Sequence, residues 1–103
     1  MILHLATFRW KDDVTEHDVA ALTERLLAMA AAIPELRSYR CGESLRLRTG
    51  GADFGVAAIV DDVAGLSAYL DSQPHQQVYD DLLGRMIAER AAVQLDVPLG
   101  ATL

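Results

Sequence analysis

Cysteine is almost absent from this chain. Cys41 is the only one among 103 residues, which excludes an internal disulfide and any cysteine-cluster metal site and agrees with a reducing compartment. Basic residues are in the minority, nine against fifteen acidic, and the resulting net charge of -6 repels a phosphate backbone, so no nucleic-acid partner is expected. No segment reaches the roughly 20 consecutive apolar residues of a membrane span. The opening MILHLATFRWKDD has neither a basic n-region nor a small-residue cleavage site. The expectation is a cytoplasmic protein with no membrane partner. Histidine is scarce as well, with three residues, His4, His17 and His75, so any acid-base or ligating role for imidazole is confined to these.

What is present is an ordinary globular composition, 51% hydrophobic and 23% charged, at a length that fits a single domain over residues 1-103. Ile2 to Trp10 alternates, placing Ile2, His4, Ala6, Phe8 and Trp10 on one face and Leu3, Leu5, Thr7 and Arg9 on the other, the pattern of a strand. Thr15 then reads as an N-cap followed by acids, with Val19, Leu22, Leu26, Met29 and Ile33 at helical spacing and Pro34 as the stop. Arg37 to Leu47 reads as a second strand with a bulge at Gly42, and RTGGAD as the turn into a third strand, Phe54 to Val60. Asp61 and Asp62 cap a helix carrying Val63, Leu66, Tyr69 and Leu70 on one side, which ends near Ser72. Pro74 opens a further helix capped by Ser72 or Gln73, with His75, Val78, Leu82 and Met86 facing inward and Tyr79 alongside. Arg90 to Val97 is the last strand. The order βαββαβ predicts an α+β, ferredoxin-like fold with a four-stranded antiparallel sheet.

Both faces of the first and third strands are apolar, yet two helices cover one face of a sheet. The uncovered face is therefore expected to meet the same face of a second copy, as a C2 homodimer.

His4 shares the face of Phe8, and that face is turned either to the helices or to the partner copy. In the first case His4, Tyr69 and His75 converge between sheet and broken helix, because the break lets two residues six apart both point inward. A helix start disfavours imidazolium, so His75 tends to stay neutral and can serve as a base, while a tyrosine hydroxyl can donate to a developing oxyanion. Against this reading, a histidine on an apolar face is often only a hydrogen-bonded core residue. His17 falls in the exposed first turn of its helix. His4, His75 and Asp71 lack the HxH or HExxH spacing of a metal site, so no metal and no cofactor is expected. The pocket, if formed, would be walled by Leu5, Phe8, Leu22, Leu26, Val78 and Leu82.

The segments MILHLATFRWKDDVTE, IPELRSYRCGESL, ADFGVAAIVDDVAGLSAYLDSQPHQQV and RAAVQLDV resemble, in order, blocks of the stress-responsive A/B barrel (Dabb) family of the dimeric α/β-barrel superfamily. The most specific are the strand-one histidine followed by FRWK and the tyrosine followed six residues later by histidine. The resemblance implies a ferredoxin-like protomer pairing into a barrel. It also implies that His4, Tyr69 and His75 match the residues with which the family's plant polyketide cyclase performs a cofactor-free aldol condensation. The family's tyrosine-x-x-histidine-proline-x-histidine pattern is altered here, with Ser72 in place of the first histidine and the proline moved by one. Three functions are open at this level: a cofactor-independent cyclase or isomerase acting on a polyketide-like carbonyl compound, a non-catalytic or stress-related dimer holding a small apolar ligand, and a cofactor-free monooxygenase of the same superfamily.

Overall fold

The computed structural model describes residues 1-103. Four strands, β1 (Ile2–Trp10), β2 (Ser38–Glu43), β3 (Phe54–Val60) and β4 (Ile87–Asp96), form one antiparallel sheet in the order β2-β3-β1-β4. The long helix α1 (Glu16–Ala31) joins β1 to β2, and α2 (Val63–Leu70), α3 (Gln73–Val78), a π-turn (Tyr79–Leu83) and the single turn α4 (Gly84–Met86) lead from β3 to β4. This is the ferredoxin-like arrangement expected from the element order.

α1, α2 and α3 each start where a side chain can absorb the free amides of the first turn. The Thr15 hydroxyl accepts from the Asp18 amide at 3.1 Å while the Asp18 carboxylate accepts from the Thr15 amide at 3.0 Å, a reciprocal cap for α1. The Asp62 carboxylate accepts from Gly65 N at 2.8 Å to open α2. Val19, Leu22, Leu26 and Met29 of α1 are buried against Phe54, Val56 and Ala58 of β3 and Ala6 and Phe8 of β1. Each such side chain removed from water is worth about 1.5 to 3 kcal/mol.

The opposite face of the sheet carries no helix. Leu3 and Leu5 lie there beside their register partners Leu95 and Val93 of β4, which are 46% and 47% exposed. The chain beyond β4 crosses one end of the sheet: Val97 exchanges two hydrogen bonds with Met1, and the Leu103 amide donates to the Ser38 hydroxyl at 3.0 Å. Ile59, paired with Ser38 and Leu3 at that end, is buried.

Three features differ from the sequence reading by more than one residue or in kind. β2 stops at Glu43 rather than Leu47, because Arg46 takes a left-handed backbone (φ 55°) and its amide turns back onto the Ser44 hydroxyl. Gly42 is no bulge, since the β2-β3 register runs unbroken from Ser38↔Ile59 to Glu43↔Phe54; the irregularity lies between Arg9 and Trp10 where β1 meets β4. β4 begins at Ile87, three residues before Arg90.

The π-turn has a further effect. Its wider ring adds one residue to the helical stretch and rotates the residues after it by one position, so Leu83 is buried where straight helical spacing placed Leu82, and Leu82 is only half-buried at the edge of the core. Gly84 closes the turn by donating its amide to the Tyr79 carbonyl. A Cβ at Gly84 would stand 3.0 Å from both that oxygen and the Tyr79 ring. Replacing a helical glycine by alanine ordinarily stabilises by up to about 1 kcal/mol. Here the oxygen is held by the glycine's own amide and cannot move away, so Gly84→Ala is expected to destabilise by about 1 to 3 kcal/mol. Urea unfolding of the two proteins measures the sign.

Candidate functional site

Between the helices and the helix-facing side of the sheet lies a cavity with about 60 Å³ open to the centre of a water-sized sphere, several times the space one water needs. β1 contributes His4, Ala6 and Phe8, β2 and β3 contribute Tyr39 and Val56, and α1 adds Leu26. The other wall comes from Tyr69 and Leu70 of α2, His75 of α3, and Tyr79 and Leu83 of the π-turn, with Ile87 and Arg90 of β4 closing one side.

Strand pleating decides which residues of β1 enter. His4, Ala6 and Phe8 point to the helices, so Leu5 between them points to the open face and is not part of the wall. Leu22 (0% exposed) and Val78 (3%) are packed in the core behind the cavity, and Leu82 is displaced by the π-turn. Of the six expected pocket residues, Phe8 and Leu26 line it and Leu5, Leu22, Val78 and Leu82 do not.

His4, Tyr69 and His75 stand together. The Tyr69 ring lies edge-on to both imidazoles, with ring centroids 6.2 Å from His4 and 5.3 Å from His75. Gln94 of β4, opposite His4 in the register, places its side-chain nitrogen 2.9 Å from His4 Nδ1. With the amide donating, the His4 proton is carried on Nε2. His75 is set by the helix break. The Ser72 hydroxyl donates to the Tyr69 carbonyl at 2.8 Å and accepts from the His75 amide at 3.2 Å, tying the end of α2 to the start of α3. The serine that departs from the family pattern is thus the N-cap that aims His75, and Pro74 sits in the first turn where its missing amide costs nothing.

Burial lowers the pKa of His75 below 6.5, with the Arg90 charge as the next cause; burial also lowers that of His4, followed by Arg90 and His75 itself. Burial pushes the Tyr69 phenol up to about 12, so it stays protonated and can donate. Tyr39, edge-on to Tyr69 at 6.4 Å, is also raised by burial, and its hydroxyl is buried without a hydrogen-bond partner. Sequence reasoning missed Tyr39 and Arg90. Tyr39 could have been found from the pleat of β2, but Arg90 needed the β1-β4 register that sets it opposite Phe8. His17 is exposed in α1 and Cys41 is half-buried in β2; neither lines the cavity.

The model of the stress responsive A/B barrel domain matches residues 2–97. Among solved structures, a dimeric ferredoxin-like protein of unknown function from Thermobifida fusca superposes with a TM-score of 0.87 at 40% identity, covering 93% of this chain and 90% of that one. A Dabb family protein with a ferredoxin-like fold from Mesorhizobium loti gives 0.77 at 18%, covering 96% and 97%. A hydroxynitrile lyase from Passiflora edulis gives 0.80 at 12%, covering 97% and 95%. No curated protein matches the sequence.

The lowered histidine pKa values give stability a defined dependence on pH. As the pH falls below 6.5, the unfolded chain takes up protons that folded His4 and His75 resist, so folding stability should drop from pH 6.5 downward and level off below the folded-state values. Both imidazoles should titrate below 6.5 by NMR, and the slope of stability against pH in this window should shrink in His75→Gln.

Proposed function

The chain belongs to the stress responsive A/B barrel domain family, and from that premise we propose that it is a homodimeric, cofactor-independent acid-base catalyst acting on an enolisable, polyketide-like carbonyl compound. The observation that carries this reading is the meeting of two imidazoles held below their ordinary pKa with a protonated phenol, in one largely apolar cavity.

Such a substrate needs a neutral base beside the carbon next to its carbonyl and a donor on the carbonyl oxygen. His75 takes the proton as the C–H bond breaks. The electron pair moves toward the oxygen, where the Tyr69 hydroxyl donates a hydrogen bond to the enolate. Return of the proton from His75 to a different carbon completes an isomerisation; attack of the enolate carbon on a second carbonyl of the same molecule, with the proton delivered to the new alkoxide, completes an aldol cyclisation. His4, fixed by Gln94, holds its ring edge-on against Tyr69 and orients it. The apolar wall of Phe8, Leu26 and Val56 excludes water and receives the body of the substrate. That one structural neighbour is a hydroxynitrile lyase supports the fold as a host for enzymes.

The partner copy is proposed to cover Leu3, Leu5, Val93 and Leu95, the apolar stripe of the open face; the relative from Thermobifida fusca is described as dimeric. Light scattering at micromolar concentration should give twice the protomer mass for the wild type and a monomer for Val93→Lys with Leu95→Lys. A wild-type monomer would reject the homodimer.

The chemistry is tested with butanone in D2O, following exchange of the protons beside its carbonyl by NMR. The wild type should accelerate exchange, with losses of about 100-fold or more in His75→Ala and in Tyr69→Phe. Both variants should keep the fold, as an imidazole at a cavity wall and a phenol oxygen contribute little packing. A large stability loss in His75→Ala with unchanged exchange would assign the histidine a structural role instead.

A further inference from the structure

We propose that the ligand of this cavity is a carboxylate with an apolar body, and that Arg90 is the residue that binds its head. This rests on the cavity being the ligand site and adds what kind of molecule it takes.

Arg90 is the one charged side chain among the residues lining the cavity. It stands opposite Phe8 in the β1-β4 register and so projects to the helix side of the sheet, away from the open face. Arg9, Arg25, Arg37, Arg46 and Arg85 each have a carboxylate within 4 Å; Arg40, Arg48 and Arg90 have none, and of these three Arg90 alone lines the cavity. Asp71, the acid whose charge reaches His75, does not line the cavity. The Arg90 charge acts on both imidazoles and disfavours their protonation. The result is a single uncompensated guanidinium beside an otherwise neutral, mostly apolar hole.

A planar guanidinium offers two parallel N–H donors that match the two oxygens of a carboxylate. A ligand paired with it in this way extends its apolar part past His4 and Tyr69 toward Phe8 and Leu26. One positive charge on a protein of net charge -6 favours a monoanion over a phosphate-type dianion. The proposed substrates are therefore carbonyl-bearing carboxylic acids, held by the acid group while the enolisable carbon faces His75.

Hexanoate and hexanamide are nearly the same size and differ in charge, so their binding separates the charge contribution from filling of the cavity. Titrations followed through the His4 and His75 ring resonances should give about tenfold tighter binding of hexanoate by the wild type, the scale of a charge-assisted pair. Arg90→Met should lose this discrimination while hexanamide affinity stays the same, and Arg90→Lys should keep part of it. Arg90 is exposed, so these variants are expected to fold, and their amide spectra verify it. Equal affinities in the wild type, or a preference for hexanoate that survives in Arg90→Met, overturns the carboxylate proposal while leaving the cavity as a ligand site. Failure of both compounds to shift His4 and His75 overturns the proposal and the ligand site together.

Discussion

The antiparallel pairing of β1 with β3 on one side and β4 on the other determines where the polar groups of the cavity's sheet wall, His4 with its partner Gln94 and Arg90, stand. Its register runs without interruption from Ile2 to Arg9 on the β4 side, and because side chains alternate along a strand, it sends His4 inward and Leu5 outward with no intermediate choice. The same ladder sets Gln94 beside His4 and Arg90 beside Phe8. A slip of β1 by one residue would put His4 on the open face and Leu3 and Leu5 into the cavity, and the same slip of β4 would carry Arg90 to the open face. The aromatic packing of Phe8, Trp10 and Phe54, with centroids 5.5 to 6.4 Å apart, holds the register at the far end of the strand.

The second wall depends on a helix that is interrupted twice. The break at Ser72 and Pro74 brings His75 to the same side as Tyr69, and the π-turn rotates Leu83 into the wall and leaves Tyr79 half outside it, 43% exposed. Each interruption has a local compensation: the Ser72 hydroxyl serves both chain ends at the first, and Gly84 provides room for the Tyr79 ring at the second. A continuous helix of the same residues would bury Tyr69 or His75, but not both toward one hole.

Local patterns made most of this legible. β1 and β3 were readable to the residue because each alternates or runs apolar between clear turn signals, and capping chemistry announced the helices at Thr15, at Asp61 and Asp62, and at Ser72 or Gln73, of which Asp62 and Ser72 are the caps. The meeting of His4, Tyr69 and His75 was one of the two outcomes that strand pleat and helix break allowed, the choice resting on which face of β1 meets the helices. What escaped depended on pairing between distant segments or on geometry outside the two regular periods. Leu5 was placed beside His4 although adjacent residues of a strand cannot share a face. Leu82 was placed by a period that the π-turn interrupts, and Leu22 and Val78 were inward-facing but one layer too deep. Arg90 carries no local signal at all, since its position in the cavity is a property of the β1-β4 register. The left-handed Arg46 that ends β2 is likewise invisible, arginine being an unusual residue for that conformation.

The ladder between β1 and β4 also has a consequence for biogenesis. His4 and Gln94 are 90 positions apart, and a chain released from the ribosome N-terminus first displays β1, α1 and the β2-β3 hairpin before β4 exists outside the tunnel. During that interval one edge of β1 is unpaired, His4 has no Gln94, and the cavity has no Arg90 side. Long-range closures of this kind form late and slowly, and an open apolar strand edge is where nascent chains adhere to one another. The cavity is therefore complete only after synthesis has passed the final strand, and during that wait β1 is the surface a chaperone would have to shield.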